Sequence, residues 1–203
     1  MNHSEFDLIL ASGSPRRKSL LEGLGVRFRI EPSTVEEAHL DGESPEDQVR
    51  RLAAAKADHI SQGFRGVWVL GADTIVVIDG DILGKPADEP EAQSMLTRLA
   101  GAIHFVFTGY ALVNSRFPEQ RRVSHNMSEV YIRGLSPAEI AGYVKTGEPM
   151  DKAGAYAIQG VGSGIVESIT GSYTNVVGLP LCEVARDLKE LGIFDFLNPG
   201  ETP

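Results

Sequence analysis

Residues 8–19 read LILASGSPRRKS: a short apolar run, a turn of small residues, and then a proline-led helical start that carries three cations. That succession restricts the chain to folds in which a strand delivers its carboxyl end directly into a helix. Ser14 is placed to cap the helix, and Pro15 suits its first turn, where a missing N–H is no loss. Ser12, Gly13 and Ser14 let the backbone approach a ligand closely. A helix beginning here points unsatisfied N–H groups and the positive end of its dipole into the turn. Arg16, Arg17 and Lys18 add full charges to that field. Cations on a wet helix face are common, but in a first turn they oppose the dipole and lower stability unless an anion joins them. The turn is therefore read as an anion site.

Strand-length apolar runs alternate with helical patterns through the first hundred residues, which predicts an α/β sheet. Strands are expected at 8–11 and 26–30, with a helix through Leu24 between them and the polar loop PSTVEEAHLDGES after them. Ser44, Pro45 and Asp47 cap a second helix, which carries Val49, Leu52, Ala53 and Lys56 at helical spacing. In WVLGADTIVVIDGDILGKP a buried strand is expected to end near Asp73, residues 74–78 read as further strand, and Asp79-Gly80 marks a two-residue hairpin turn. A helix follows over 91–99, then paired strands over 104–113 and 120–132. Ser136 and Glu139 form a capping box for a helix that stops at Gly147. Residues 150–180 resemble short strands with loops, within which GSYTNVVGLP reads as a turn, a strand and the entry to the last helix. That helix spans 181–191 with Gly192 as its cap, and the tail NPGETP is expected to fray.

At 203 residues the chain is long enough to bury a core without staples, and it reads as a single domain of two lobes. The hydrophobic share of 42% and charged share of 23% fit a globular protein, and no run approaches the length of a membrane span. Cys182 is the single cysteine and cannot form an internal disulfide. The first residues also lack the basic start and long apolar stretch of a signal peptide, so a cytoplasmic location is expected, with no membrane partner. A net charge of −9 argues against nucleic acid as a partner, since wrapping its backbone demands a broad basic face. A few focused cations in an acidic protein suit a small polyphosphate instead.

Asp73 follows the apolar residues 67–70 through Gly71 and Ala72, and open α/β sheets bind ligands at the carboxyl ends of strands. With no helix there to cap, its carboxylate suits a divalent cation or a water. Lys85 sits rigidly between Gly84 and Pro86, which suits a phosphate contact, although a solvated loop lysine is the other reading. GDILGKP is not a P-loop, because the second glycine comes one residue too soon and Pro86 stands where a magnesium-binding hydroxyl must be. GVGSG, at 160–164, lacks the flanking strand and helix of a dinucleotide fingerprint. The five histidines show no zinc-type spacing, and structural roles are expected for them and for Cys182. In DKAGAYAIQG, Gln159 offers both a donor and an acceptor, which suits the edge of uracil or thymine, although glutamine before glycine is also a common turn residue.

The segments ASGSPRR, RLAAAK, GADT, GKP, DKAGAYAIQG and GSYTNVVGLPL, in that order over nearly the whole chain, resemble the Maf family. The resemblance implies a two-lobed α/β fold with a long mixed sheet flanked by helices and a central cleft, similar to the inosine triphosphate pyrophosphatases. It implies hydrolysis of nucleoside triphosphates between the α and β phosphates with a divalent metal, Mg²⁺ or Mn²⁺. The DKAG-Y-IQG pattern resembles the branch acting on dTTP and UTP, and modified pyrimidine nucleotides fall within the same expectation.

Carried over by residue, Asp73 is implied as the catalytic acid or base, and Glu37 as a carboxylate near the metal alongside it. Arg16, Thr74 and Gln159 match positions tied to substrate selection. Arg17, Lys56 and Lys85 match cations lining the phosphate path, and Ser14 belongs with them as the cap of the anion-binding turn. Ala157 and Gln48 depart from the commoner glycine and tyrosine, which touches fine specificity more than chemistry. Relatives often form homodimers, although no exposed apolar stripe in the sequence demands one. Two other readings remain open: a nucleotide-sensing regulator of cell division, since the family has been linked to septum formation, and a phosphatase of smaller phosphoesters.

Overall fold

The computed structural model describes residues 6–195 and residue 197, so the tail NPGETP lies outside the described residues. The elements are β1 (Leu8–Leu10), α1 (Pro15–Leu24), β2 (Phe28–Ile30), α2 (Pro45–Ser61), β3 (Trp68–Ile78), β4 (Asp81–Leu83), α3 (Glu89–Leu99), β5 (Ile103–Asn114), β6 (Arg121–Ile132), α4 (Pro137–Val144), β7 (Val166–Thr170), α5 (Tyr173–Val177) and α6 (Leu181–Glu190). The strands hydrogen-bond in the order β2-β1-β3-β5-β6-β7, with β4 also on β3. β1 runs parallel to β2 and β3, whereas the β3–β4 and β6–β7 pairs are antiparallel, so the sheet is mixed. Among the described residues no helix is long and apolar enough to cross a membrane.

The chain divides into two compact units, the first formed by residues up to 73, 108–125 and 178 onward. Period-two alternation gives its strands two buried faces. Leu8, Leu10, Leu70, Ala72, Tyr110 and Leu112 pack with Leu21 of α1 and with Val184 and Leu188 of α6. Ile9, Ala11, Val69, Ala111 and Val113 pack with Ala53 and Ala57 of α2. Two glycines on the second face set how close α2 lies. A Cβ at Gly71 would clash with the Ala53 carbonyl, and one at Gly109 with the Val49 carbonyl, so α2 rests on bare backbone of β3 and β5.

The second unit, residues 74–107 and 126–177, has one core. Val76, Ile78, Val106, Val130 and Ile132 of the strands pack against Ala92, Leu96 and Leu99 of α3 and Ile140, Tyr143 and Val144 of α4. The expected hairpin is present, with Asp79 and Gly80 both at positive φ, 53° and 85°, between antiparallel β3 and β4. The expected capping box is also there, Ser136 accepting from the Glu139 N–H while the Glu139 carboxylate accepts from the Ser136 N–H.

Three expectations need correction. β3 does not end near Asp73 but runs unbroken to Ile78, because Ile75, Val76, Val77 and Ile78 are all buried and continue the ladder. Glu148–Asp151, Ala153–Ala155 and Gly160–Gly164 are short 3₁₀ turns, Tyr156 and Gln159 between the last two are extended, and of the strands expected over 150–180 only Val166–Thr170 is present. YTNVV is helix α5 and not a strand. The Ser172 hydroxyl accepts from the Asn175 N–H at 3.2 Å, and the buried Asn175 amide donates to the Val106 carbonyl at 2.9 Å and the Ser128 hydroxyl at 3.0 Å. Cys182 is exposed on α6 and takes no part in a core.

Candidate active site

β1 and β2 stop after Leu10 and Ile30, and β1's last pair on β3 is Leu10 with Leu70. Asp73 therefore lies three residues beyond the carboxyl ends of the parallel strands, on a strand that itself continues. The rule about strand ends holds for its neighbours while β3 carries the acid past them. Because side chains alternate, Asp73 shares the face of Gly71, against which α2 is drawn. Lys56 sits one helical turn beyond Ala53, and its ammonium donates to Asp73 Oδ1 at 2.6 Å. The same nitrogen donates to Glu37 Oε1 at 2.6 Å. The Lys56 and Asp73 side chains are each 7% exposed, whereas that of Glu37 is 48% exposed and opens the cluster to solvent.

The amino-terminal turn is the other component. Ser14 caps α1, accepting from the Arg17 N–H, and no acid lies in the first turn of the helix. Arg17 bends back over that turn, donating from Nη1 to the Ser12 hydroxyl at 3.0 Å and from Nε to the Gly178 carbonyl at 2.8 Å. Burial pulls the Arg17 guanidinium below its ordinary pKa, Asp73 and Glu37 pull it back up, and Arg16 adds like-charge repulsion. These couplings bring Arg16, Arg17, Glu37 and Asp73 into one electrostatic neighbourhood. Lys18 belongs elsewhere, facing Glu22 on the exposed side of α1.

Glu37 lies in a long loop, and α2 holds that loop. Arg51 forks onto Glu43 with two 2.6 Å bonds and donates to the Ala38 carbonyl at 3.0 Å, next to Glu37. His39 Nδ1 lies 2.6 Å from Oε1 of Gln48, which is buried. Sequence reasoning missed Arg51 and Gln48 as positioning residues. The available signal was a polar residue and an arginine within the helix that also carries Lys56, but their partners are set by tertiary packing.

The remaining candidates fall in the second unit. Thr74 follows Asp73 on β3 and points to the opposite face by strand alternation. Lys85 is exposed just after β4, where the neighbouring Gly84 carbonyl accepts from the Gly154 N–H at 3.0 Å. That bond pairs the GKP segment with DKAG. Gln159 is exposed in the turn that follows DKAG.

Comparison with solved structures finds a HAM1 protein from Coxiella burnetii at TM-score 0.51 and 18% identity, covering 90% of this chain and 98% of that one, a likeness of fold. The dTTP/UTP pyrophosphatase of Geobacter sulfurreducens is 50% identical over 185 residues, which is 91% of this chain and 96% of the relative. That of Geobacter sp. strain M21 is 49% identical over 185 residues, covering 91% and 95%. The model of Maf-like proteins matches residues 7–191, and so the chain belongs to the Maf family.

Proposed function

We propose that this protein is a nucleoside triphosphate pyrophosphatase that hydrolyses dTTP and UTP to the monophosphate and pyrophosphate. The observation that carries the reading is the buried Asp73, paired with Lys56 beside Glu37 and within the field of the cationic first turn of α1. Relatives of about half identity, covered almost end to end, are named for this activity.

Water attacking the α phosphorus of a triphosphate is opposed mainly by the substrate's own negative charge, so fixed cations come first. Arg17 is pre-aimed by Ser12 and Gly178, which spares its ordering on binding. With Arg16 and the Ser14-capped helix end, it holds the polyphosphate and stabilises the leaving pyrophosphate, and Lys85, in the second unit, is a candidate phosphate contact of its own. Asp73 accepts the proton of the attacking water. Lys56 keeps the Asp73 and Glu37 carboxylates converged on one point and contributes its charge to the phosphate path. Gln159 pairs with the edge of the pyrimidine base, and Thr74 shares in substrate selection.

The donor set fits a divalent cation. Two carboxylates already share one ammonium, which stands where a cation would sit, and oxygen donors suit Mg²⁺ or Mn²⁺. Among the described residues no group of three or more His, Cys, Asp or Glu gathers to hold a metal, so phosphate oxygens would complete the shell. Held by Asp73 and Glu37, the ion would polarise the α phosphoryl group. We place the activity in the cytoplasm, where the substrates are.

The test is side-by-side hydrolysis of dTTP, UTP, CTP and GTP. The two uracil-type bases, thymine and uracil, are expected to be preferred by at least about a hundredfold, because a site built to hydrogen-bond one base edge penalises the edges that leave its polar groups unpaired. Equal rates would end the pyrimidine claim.

A further inference from the structure

Gln159 sits in extended backbone between Ile158 and Gly160, with its side chain exposed. On both sides of it the chain is held by one pair of side chains. Upstream, the Ala157 N–H donates to the Tyr143 hydroxyl at 3.0 Å. Downstream, the Val161 and Gly162 N–H groups donate to the two oxygens of the Glu148 carboxylate at 3.0 and 2.8 Å. The Tyr143 hydroxyl closes the ring by donating to Glu148 Oε1 at 2.8 Å. Tyr143 is buried in the core of the second unit, so the pair is anchored to a rigid helix. Upstream again, Tyr156 is fixed by a 2.7 Å contact between its hydroxyl and Nε2 of the buried His104.

The glycines of GVGSG now have a reason that owes nothing to dinucleotide binding. Gly160 has φ +67°, and a Cβ there would run into the Glu148 carboxylate; at Gly162 it would meet the Ala157 carbonyl and the Tyr143 hydroxyl. Desolvation lifts the Glu148 pKa, but the Tyr143 hydroxyl and the Gly162 and Val161 N–H groups outweigh it and hold the group below its ordinary range. The charged carboxylate is thus the form the turn is built around. Such charge-assisted bonds are about twice as strong as neutral ones.

We infer that Glu148 and Tyr143 are positioning residues that present Gln159 to the pyrimidine base, an inference that rests on the assignment of Gln159 to the base edge. Glutamine has three freely rotating side-chain bonds, and an amide distinguishes the uracil edge from the cytosine edge only if its backbone is held in one place. The bonds bracket Gln159 and nothing else in the candidate site, so releasing them should loosen base choice and spare the phosphate chemistry.

The experiment measures kcat and KM for dTTP, for CTP and for a base-free deoxyribose 5′-triphosphate with Glu148→Ala, Tyr143→Phe and Gln159→Ala. Glu148→Ala is expected to lower the dTTP-over-CTP ratio of kcat/KM by at least about tenfold, chiefly through a higher KM for dTTP, while base-free turnover stays within about twofold. Adding Gln159→Ala to it should lower the ratio little further, because the two act as one unit. If Glu148→Ala fails to fold, Tyr143→Phe, which keeps its ring in the core, decides by the same readouts. A ratio unchanged by both clamp variants but lowered by Gln159→Ala overturns the clamp alone. A ratio unchanged by Gln159→Ala overturns the base assignment, and the clamp with it. Equal losses on dTTP and on the base-free substrate identify a general structural role and overturn the positioning role.

Discussion

The Asp73 carboxylate and the Lys56 ammonium are almost wholly withdrawn from water, and each depends on the other for compensation. Asp73→Asn keeps an oxygen for Lys56 to bond and leaves Glu37 to balance its charge. It is expected to fold normally by thermal unfolding yet lose at least about a hundredfold in turnover, the scale of general-base removal. Lys56→Met is the opposite case, leaving two converged carboxylates without their cation. It should destabilise the protein by about 3 kcal/mol, toward the lower end for a broken buried pair because Glu37 is half exposed. Mg²⁺ should restore part of that loss, and denaturation with and without Mg²⁺ checks it; a stability indifferent to Mg²⁺ would count against a metal at Asp73 and Glu37. His104 sets a pH dependence of its own. Burial lowers its pKa to about 4, below the ordinary value of 6.5. Between those values the unfolded chain binds the proton and the folded one does not, so stability falls as pH drops through this window, by on the order of 3 kcal/mol in all. His104→Leu should flatten the slope of unfolding free energy against pH between about 4.5 and 6.5, and an unchanged slope would refute the assignment.

At the scale of elements, α2 connects packing to chemistry. It reaches Asp73 only because Gly71 lets it lie on the backbone of β3. Gly71→Ala should displace the helix, destabilise the fold by about 1–3 kcal/mol as overpacking does, and reduce turnover as Lys56 leaves Asp73. A crystal structure showing α2 unmoved and the Lys56–Asp73 bond intact would contradict this. What could be read from the sequence follows the same logic. Ser14, Ser44 and Ser136 announce their helices locally, through caps that act within three residues, and Asp79-Gly80 does so for its hairpin. Apart from Ser172, whose hydroxyl accepts from the Asn175 N–H at the start of α5, the stretch from Glu148 to Val177 carries no such signal. Its turns are held by the Glu148 carboxylate and the Asn175 amide reaching to distant backbone, and neither alternation nor a helical period marks that. β3 misled for a related reason, since small Gly71 and Ala72 resemble a break in an apolar run but serve a helix lying close above.

For the whole molecule, an overall charge of −9 with cations gathered at the α1 turn separates what the protein attracts from what it repels. The motifs ASGSPRR, RLAAAK and GADT place Arg17, Lys56 and Asp73 in the first compact unit, and GKP with DKAGAYAIQG places Lys85 and Gln159 in the second. Their residue types were legible in the sequence because each is chemically unusual in its local setting. The pairing of Lys56 with both carboxylates, and the hold of Arg51 on the Glu37 loop, were not, since these arise from residues that only the fold brings together. The central claim is a single hydrolytic event assisted by Asp73, and the direct measurement is a product-resolved assay of dTTP with Mg²⁺, run on the unaltered protein and on Asp73→Asn. The account predicts dTMP and pyrophosphate in equal amounts from the first and at least about a hundredfold less of both from the second. Release of orthophosphate in place of pyrophosphate, or undiminished turnover by Asp73→Asn, would contradict it.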